Sequence, residues 1–186
     1  MGGILMRLRR RLPFAVLRDQ GGVGAIEFAI VMPFILALYL GASELTFGIT
    51  ADRKVNNAAS TISDLVTQQS QVTMERLTQI MGLSTALLAP FDAGQMTITI
   101  TQVHIDADRK ATVDWSTNPT RYPKTTPFVG LPTGIADQAD RYIVLTEAVF
   151  AYEPVVGYDV LGTFDMKRIA YNQPRIALRI ECSDCG

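Results

Sequence analysis

Sixteen consecutive residues, Phe28–Ser43 (FAIVMPFILALYLGAS), carry no charge. Widened to Val23–Phe47, the segment reaches 25 residues with Glu27 and Glu44 as its only charges. A helix rises 1.5 Å per residue, so about 20 residues cross a hydrocarbon core of about 30 Å. Apolar side chains occupy every face of this stretch and leave no polar stripe for water. A membrane-spanning helix is therefore predicted in preference to a buried helix of a soluble domain. Pro33 lies inside the run, removes one helix hydrogen bond and should kink the helix, which membrane helices tolerate.

The formal net charge of −1 hides an asymmetry. Residues 1–22 carry Arg7, Arg9, Arg10, Arg11 and Arg18 against Asp19 alone, whereas residues 23–186 carry 12 Lys+Arg against 17 Asp+Glu. Cationic flanks stay cytoplasmic, which puts the N-terminus inside and translocates the body. A basic leader ahead of an acidic body is not the charge pattern of a nucleic-acid binder. With 186 residues, 48% of them hydrophobic, the chain suits one domain with an appendage and is neither disordered nor disulfide-dense.

Three fates are open to the leader. A secretory signal peptide is one, with Gly41 and Ser43 as the small residues before a cut at Glu44. The length of the apolar run and Glu27 at its start oppose it. A plain uncleaved anchor is the second. The third rests on Gly22-Val23-Gly24-Ala25-Ile26-Glu27-Phe28, where a glycine precedes four uncharged residues, then Glu-Phe, then the apolar run. This resembles the cleavage site of type IV prepilins.

The resemblance extends further. Residues 18–29 (RDQGGVGAIEFA), the run with Pro33, and residues 41–48 (GASELTFG) are similar to the TadE-like family, minor pilins or pseudopilins of the tight-adherence (Tad/Flp) pilus. A looser similarity covers Tyr152-Glu153-Pro154, Ala170–Arg175 and a cysteine-bearing terminus. The resemblance implies a cut between Gly22 and Val23 by a prepilin peptidase on the cytoplasmic side, with the helix left attached. Glu27 then becomes the fifth residue of the mature chain. A carboxylate at the edge of hydrocarbon is costly, by roughly 2.5–3.5 kcal/mol at a helix centre, and persists either by snorkelling to interfacial water or with a partner. The new α-amine of Val23 on a neighbouring subunit is the natural one, which makes Glu27, with Phe28, an assembly contact.

Beyond the membrane, Asp52-Arg53-Lys54 marks a polar boundary, after which Val55, Ala58, Ala59, Ile62, Leu65 and Val66 recur at helical spacing. One helix over about 23–67 is predicted. A second should run from the N-cap Thr73 to Leu88. Residues 96–105 alternate as a strand, with apolar residues at 96, 98, 100, 103 and 105 and a one-residue slip near Gln102 that suggests a bulge. Asp106–Lys110 is a turn and Ala111–Ser116 the returning strand. Asn118–Gly134 is a proline-rich loop. Tyr142–Tyr152, Arg168–Tyr171 and Arg175–Cys182 read as further strands, the last alternating around Ile176, Leu178 and Ile180.

The chemical inventory is thin. The single histidine, His104, falls inside a strand, where a cross-strand or surface role is expected; metal sites and triads built on several histidines lack parts. Asp106, Asp108 and Asp114 lie about one hairpin without the glycine and distal glutamate of an EF loop. Trp115 is expected to pack. Cys182 and Cys185 form a C-x-x-C pair at the end of the chain, with no following helix to activate a thiol. On a translocated, oxidising side a disulfide is expected.

The fold class expected is α+β: a long N-terminal transmembrane helix continuing into a small domain with a second helix and an antiparallel sheet. The divisions are a basic leader (1–22), a transmembrane helix (23–50) and a periplasmic pilin-like body (51–186). No catalytic residues, metal or cofactor are expected. The partners are the prepilin peptidase, major and other minor pilins, the inner-membrane assembly platform and the lipid bilayer, with no nucleic acid. A membrane-anchored binding module that never enters a filament is the alternative. A secreted enzyme or redox protein, cut before Glu44, is the third reading.

Overall fold

Nothing between Val23 and Thr67 stops a helix once Pro33 is accommodated, and α1 (Val23–Thr67) runs as one helix of 45 residues in the computed structural model. The structure describes residues 22–155 and 162–185; the arginines of the leader lie outside them. The chain divides into two compact units, Met1–Ala42 and Ser43–Gly186.

The described part of the first unit, residues 22–42, is helical from Val23 and exposed throughout. The helix continues through Pro33.

In the second unit the same helix acquires a buried stripe: Ala51, Val55, Ala58, Ala59, Ile62 and Val66. Steps of three and four residues keep one face on the sheet, and the alanines let the helix approach closely. A four-stranded antiparallel sheet receives that face, in the order β3 (Ala111–Ser116), β2 (Met96–Ile105), β4 (Arg141–Tyr152), β5 (Phe164–Asn172). The α+β architecture predicted from the sequence is the one observed.

Several elements differ from the sequence reading in informative ways. The helix expected over Thr73–Leu88 is two helices, α2 (Met74–Gly82) and α3 (Ser84–Leu88), meeting at Leu83. Leu77 and Ile80 pack in one core cluster with Ile62, Val66 and Trp115, whereas Leu88 packs in another with Ala51, Val55 and Phe150. A single straight helix would not serve both, and Gly82 weakens the ladder at the break. Thr73 caps α2 as expected, accepting from the Arg76 amide at 3.2 Å.

The slip expected near Gln102 is a bulge in the β2–β3 pairing, and it coincides with a change of the covered face. The pairing of β2 with β4 runs unbroken from Met96 to Ile105. Ile98 and Ile100 belong to the helix-side clusters, and Val103 and Ile105 to a third cluster with Ile143 and Leu145. The irregularity falls between β2 and β3, where Gln102 pairs with Trp115 and Val103 with Val113, leaving Asp114 as the extra residue.

That third cluster explains the long loop. Phe128, Leu131 and Ile135 cover it, the last within a short α4 (Thr133–Ala136). Backbone bonds from Thr125 to the Val113 carbonyl and from Phe128 to that of Ala111 hold the loop along β3.

The strand expected over Arg175–Cys182 is corrected to its last two residues. β6 (Glu181–Cys182) pairs in parallel with β1 (Gln71–Val72). Residues 175–179 bend, and Ile176 and Leu178 are 68% and 78% exposed. The ends of this segment are fixed elsewhere, so its alternation finds no ladder. Arg175 donates its backbone N–H to Thr67 and pairs with Asp64, while Ile180 is held by Gln102 and Trp115.

Candidate functional site

The residues at which the sequence predicts processing and assembly lie just before α1 and on its exposed first half. Gly22 immediately precedes the helix; a Cβ placed on it would meet nothing within 4 Å. Nothing among the described residues therefore requires glycine at position 22. Val23 opens the helix and is exposed, as are Phe28 and the residues around Pro33. Glu27 is exposed, and its carboxylate has neither a hydrogen bond nor an ion pair among the described residues.

Glu44 is placed differently. Its Oε1 accepts a hydrogen bond from the Tyr152 hydroxyl at 2.6 Å. Two turns further on, Asp52 holds Arg168 of β5 at 2.6 Å, and the carboxylate raises the guanidinium pKa through its hydrogen bond and charge. The body is thus pinned to α1 at two levels. No sequence pattern announces the Glu44–Tyr152 pair, because its members stand 108 residues apart.

Burial raises the Tyr152 pKa most, and the hydrogen bond and charge of Glu44 raise it further. Tyr122 and Tyr171 are also raised, by burial first and the Glu147 charge second. An unfolded tyrosine ionises near pH 10, while these folded ones hold their protons longer. Their stabilisation is full below pH about 10 and is lost as pH rises through the folded values. Stability should fall in alkali by up to about 1.4 kcal/mol per pH unit for each such group. In Tyr152→Phe the fall above pH 10 should be shallower by one group, at a cost of about 1.5–3 kcal/mol at neutral pH for the lost bond to a carboxylate. Denaturant midpoints measured from pH 7 to 11 check this; an unchanged alkaline slope would refute the assignment.

On the outer sheet face Glu147 is nearly buried, paired with Arg121 at 2.6 Å and Lys167 at 3.0 Å, and accepts from the Tyr122 hydroxyl at 3.2 Å. The Arg121 and Tyr122 contacts fasten the 118–134 loop to the sheet. On the helix side, the buried Gln102 amide pairs with both backbone groups of Ile180, each at 3.0 Å, and the Trp115 indole donates to the same carbonyl at 2.8 Å.

Cys182 and Cys185 are joined by a disulfide. Between them Asp184 accepts from the Met74 amide at 2.9 Å and so caps α2 from across the fold. The sulfurs and the Asp184 carboxylate lie within 4.8 Å of one another, but bonded sulfurs are not thiolate ligands. His104 stacks on its cross-strand neighbour Tyr142 at 4.4 Å. The three hairpin aspartates serve separate ends: Asp106 closes the turn onto the Lys110 amide, Asp108 pairs with Lys110, and Asp114 accepts from Gln102 and Arg179.

These features define a class: an α+β body on the end of one helix that is long and apolar enough to cross a membrane. Within that class, residues 22–63 match the family model of TadE-like proteins, which places the likeness on the glycine, the apolar run and the first turns packed on the body. No curated protein and no solved structure matches the chain.

Proposed function

We propose that this chain is a minor pilin or pseudopilin of a Tad-type pilus. It is made as an inner-membrane precursor with its N-terminus cytoplasmic and its body periplasmic, and a prepilin peptidase cuts it after Gly22. The apolar half of α1 then packs beside major and other minor pilins at the assembly platform, and the body serves pilus assembly or surface adherence. The role is structural, with no reaction and no cofactor. The observation that carries this reading is the fully exposed apolar helix from Val23 to Ala42, whose Glu27 carboxylate has no partner among the described residues, inside the segment that matches TadE-like proteins.

The boundary at Ser43 also suits a secreted body released before Glu44. The family match runs across that point, from 22 to 63, and favours retention of the helix.

Glu27→Ala tests the reading. Cleavage should proceed, while recovery of the protein with sheared pili or pilin complexes should fall about tenfold, the equivalent of losing about 1.4 kcal/mol at the contact. Normal piliation and normal co-assembly in this variant would refute the amine–carboxylate contact. A processed chain that never co-purifies with pilins would instead describe the anchored binding module.

A further inference from the structure

The apolar helix is short for its task. Phe28–Ser43 spans about 24 Å at 1.5 Å per residue, against a hydrocarbon core of about 30 Å. About four more residues must be drawn in from one end, past either Glu27 or Glu44. The two carboxylates are not equivalent. Glu27 has no partner among the described residues, whereas Glu44 is supplied with a proton donor by Tyr152 at 2.6 Å. The side provided for by the chain itself is the Glu44 side. The residues that follow there, Leu45 and Phe47, are 66% and 51% exposed and extend the apolar surface of the helix.

Drawing in this stretch brings part of the body with it. Tyr152 is the last residue of β4 and is paired with Phe164, the first of β5, their rings 5.3 Å apart. This end of the sheet is therefore level with Glu44. It exposes Phe164 (44%) and Val155 (81%). Aromatic and apolar side chains at that level match the composition of a membrane–water interface.

We propose that Val155 and Phe164, together with Leu45 and Phe47, form a collar that rests in the lipid headgroup layer, so that the body touches the bilayer instead of standing clear of it. The inference rests on α1 spanning the membrane. The occupant is lipid, because Leu45 and Phe47 follow the apolar run directly in the same helix and Phe164, beside Tyr152, stands at the level of Glu44.

Depth-dependent quenching by brominated lipids tests it on the full mature chain in phosphatidylcholine–phosphatidylglycerol vesicles. Reporters are introduced singly as Val155→Trp and Phe164→Trp, over the constant signal of the buried Trp115. Leu38→Trp reports the span, and Val129→Trp, on the loop over the outer sheet face, reports water. Lipids brominated near the headgroup should quench both collar reporters about twofold or more over Val129→Trp, with Leu38→Trp quenched best by deep bromines. Val155 is largely exposed, so its reporter decides the matter should Phe164→Trp fold poorly. If Leu38→Trp is quenched and the collar reporters behave like Val129→Trp, the collar is wrong and the span stands. If Leu38→Trp is unquenched, the spanning reading itself falls. Collar quenching that disappears as the protein-to-lipid ratio rises would assign the patch to a second copy and overturn the lipid assignment.

Discussion

Gly22→Trp should leave the leader on the chain. Among the described residues nothing within 4 Å would meet a Cβ at this position, so the fold does not call for glycine there. A peptidase that grips an extended backbone at the scissile bond does meet the new side chain. Each 1.36 kcal/mol added to the barrier lowers the rate tenfold, so a clash of about 3 kcal/mol reduces cleavage by about 100-fold. The ratio of precursor to mature chain in the cell envelope, read by mass spectrometry, should invert from mostly mature to almost wholly precursor. Normal maturation of Gly22→Trp would remove the cleavage site from this position.

Trp115→Ala should produce the largest loss of stability. Trp115 is 1% exposed and packs with Ile62, Val66, Leu77 and Ile100, where α1, α2 and the sheet meet. Truncating such a side chain costs about 3–5 kcal/mol through lost burial and the cavity left behind. The Ile180 carbonyl also loses the indole donor, leaving the Gln102 amide to hold that residue. Residues 173–180 should then become more sensitive to protease, because Ile180 is one of their fixed ends. Trp115→Phe keeps most of the volume and should cost less, with about 1 kcal/mol assigned to the hydrogen bond. Denaturant unfolding of the detergent-solubilised chain measures both. A cost below about 1 kcal/mol for Trp115→Ala would mean that this junction does not hold the body together.

The parts legible in the sequence are those governed by local pattern. The uncharged run, the helical recurrence of Val55, Ala58, Ala59, Ile62 and Val66, the Thr73 cap and the β2–β3 hairpin follow from periodicity and capping, and they appear where expected. Patterns failed where two cores compete for one element. Leu77 and Leu88 belong to different clusters, so a single predicted helix became two. The bulge expected near Gln102 is present against β3, while the pairing with β4 is unbroken, and Ile100 and Val103 face opposite sides of the sheet. The Arg175–Ile180 segment has strand periodicity but is fastened by distant groups: Thr67, Asp64, Gln102 and Trp115. Of the candidate site, the Gly22–Phe28 motif was visible as spacing. Tyr152 as the partner of Glu44 was not, because a contact between a helix and the far end of a strand leaves no local signature.

On the proposed reading the chain keeps its apolar helix and loses only its leader. The N-terminal residue of the protein purified from its own cell envelope tests this most directly. Val23 is the expected first residue, in the membrane or pilus fraction, with the leader retained when the prepilin peptidase is deleted. Glu44 at the N-terminus of a soluble product would contradict it, because the helix would then be a signal peptide and the body a secreted domain.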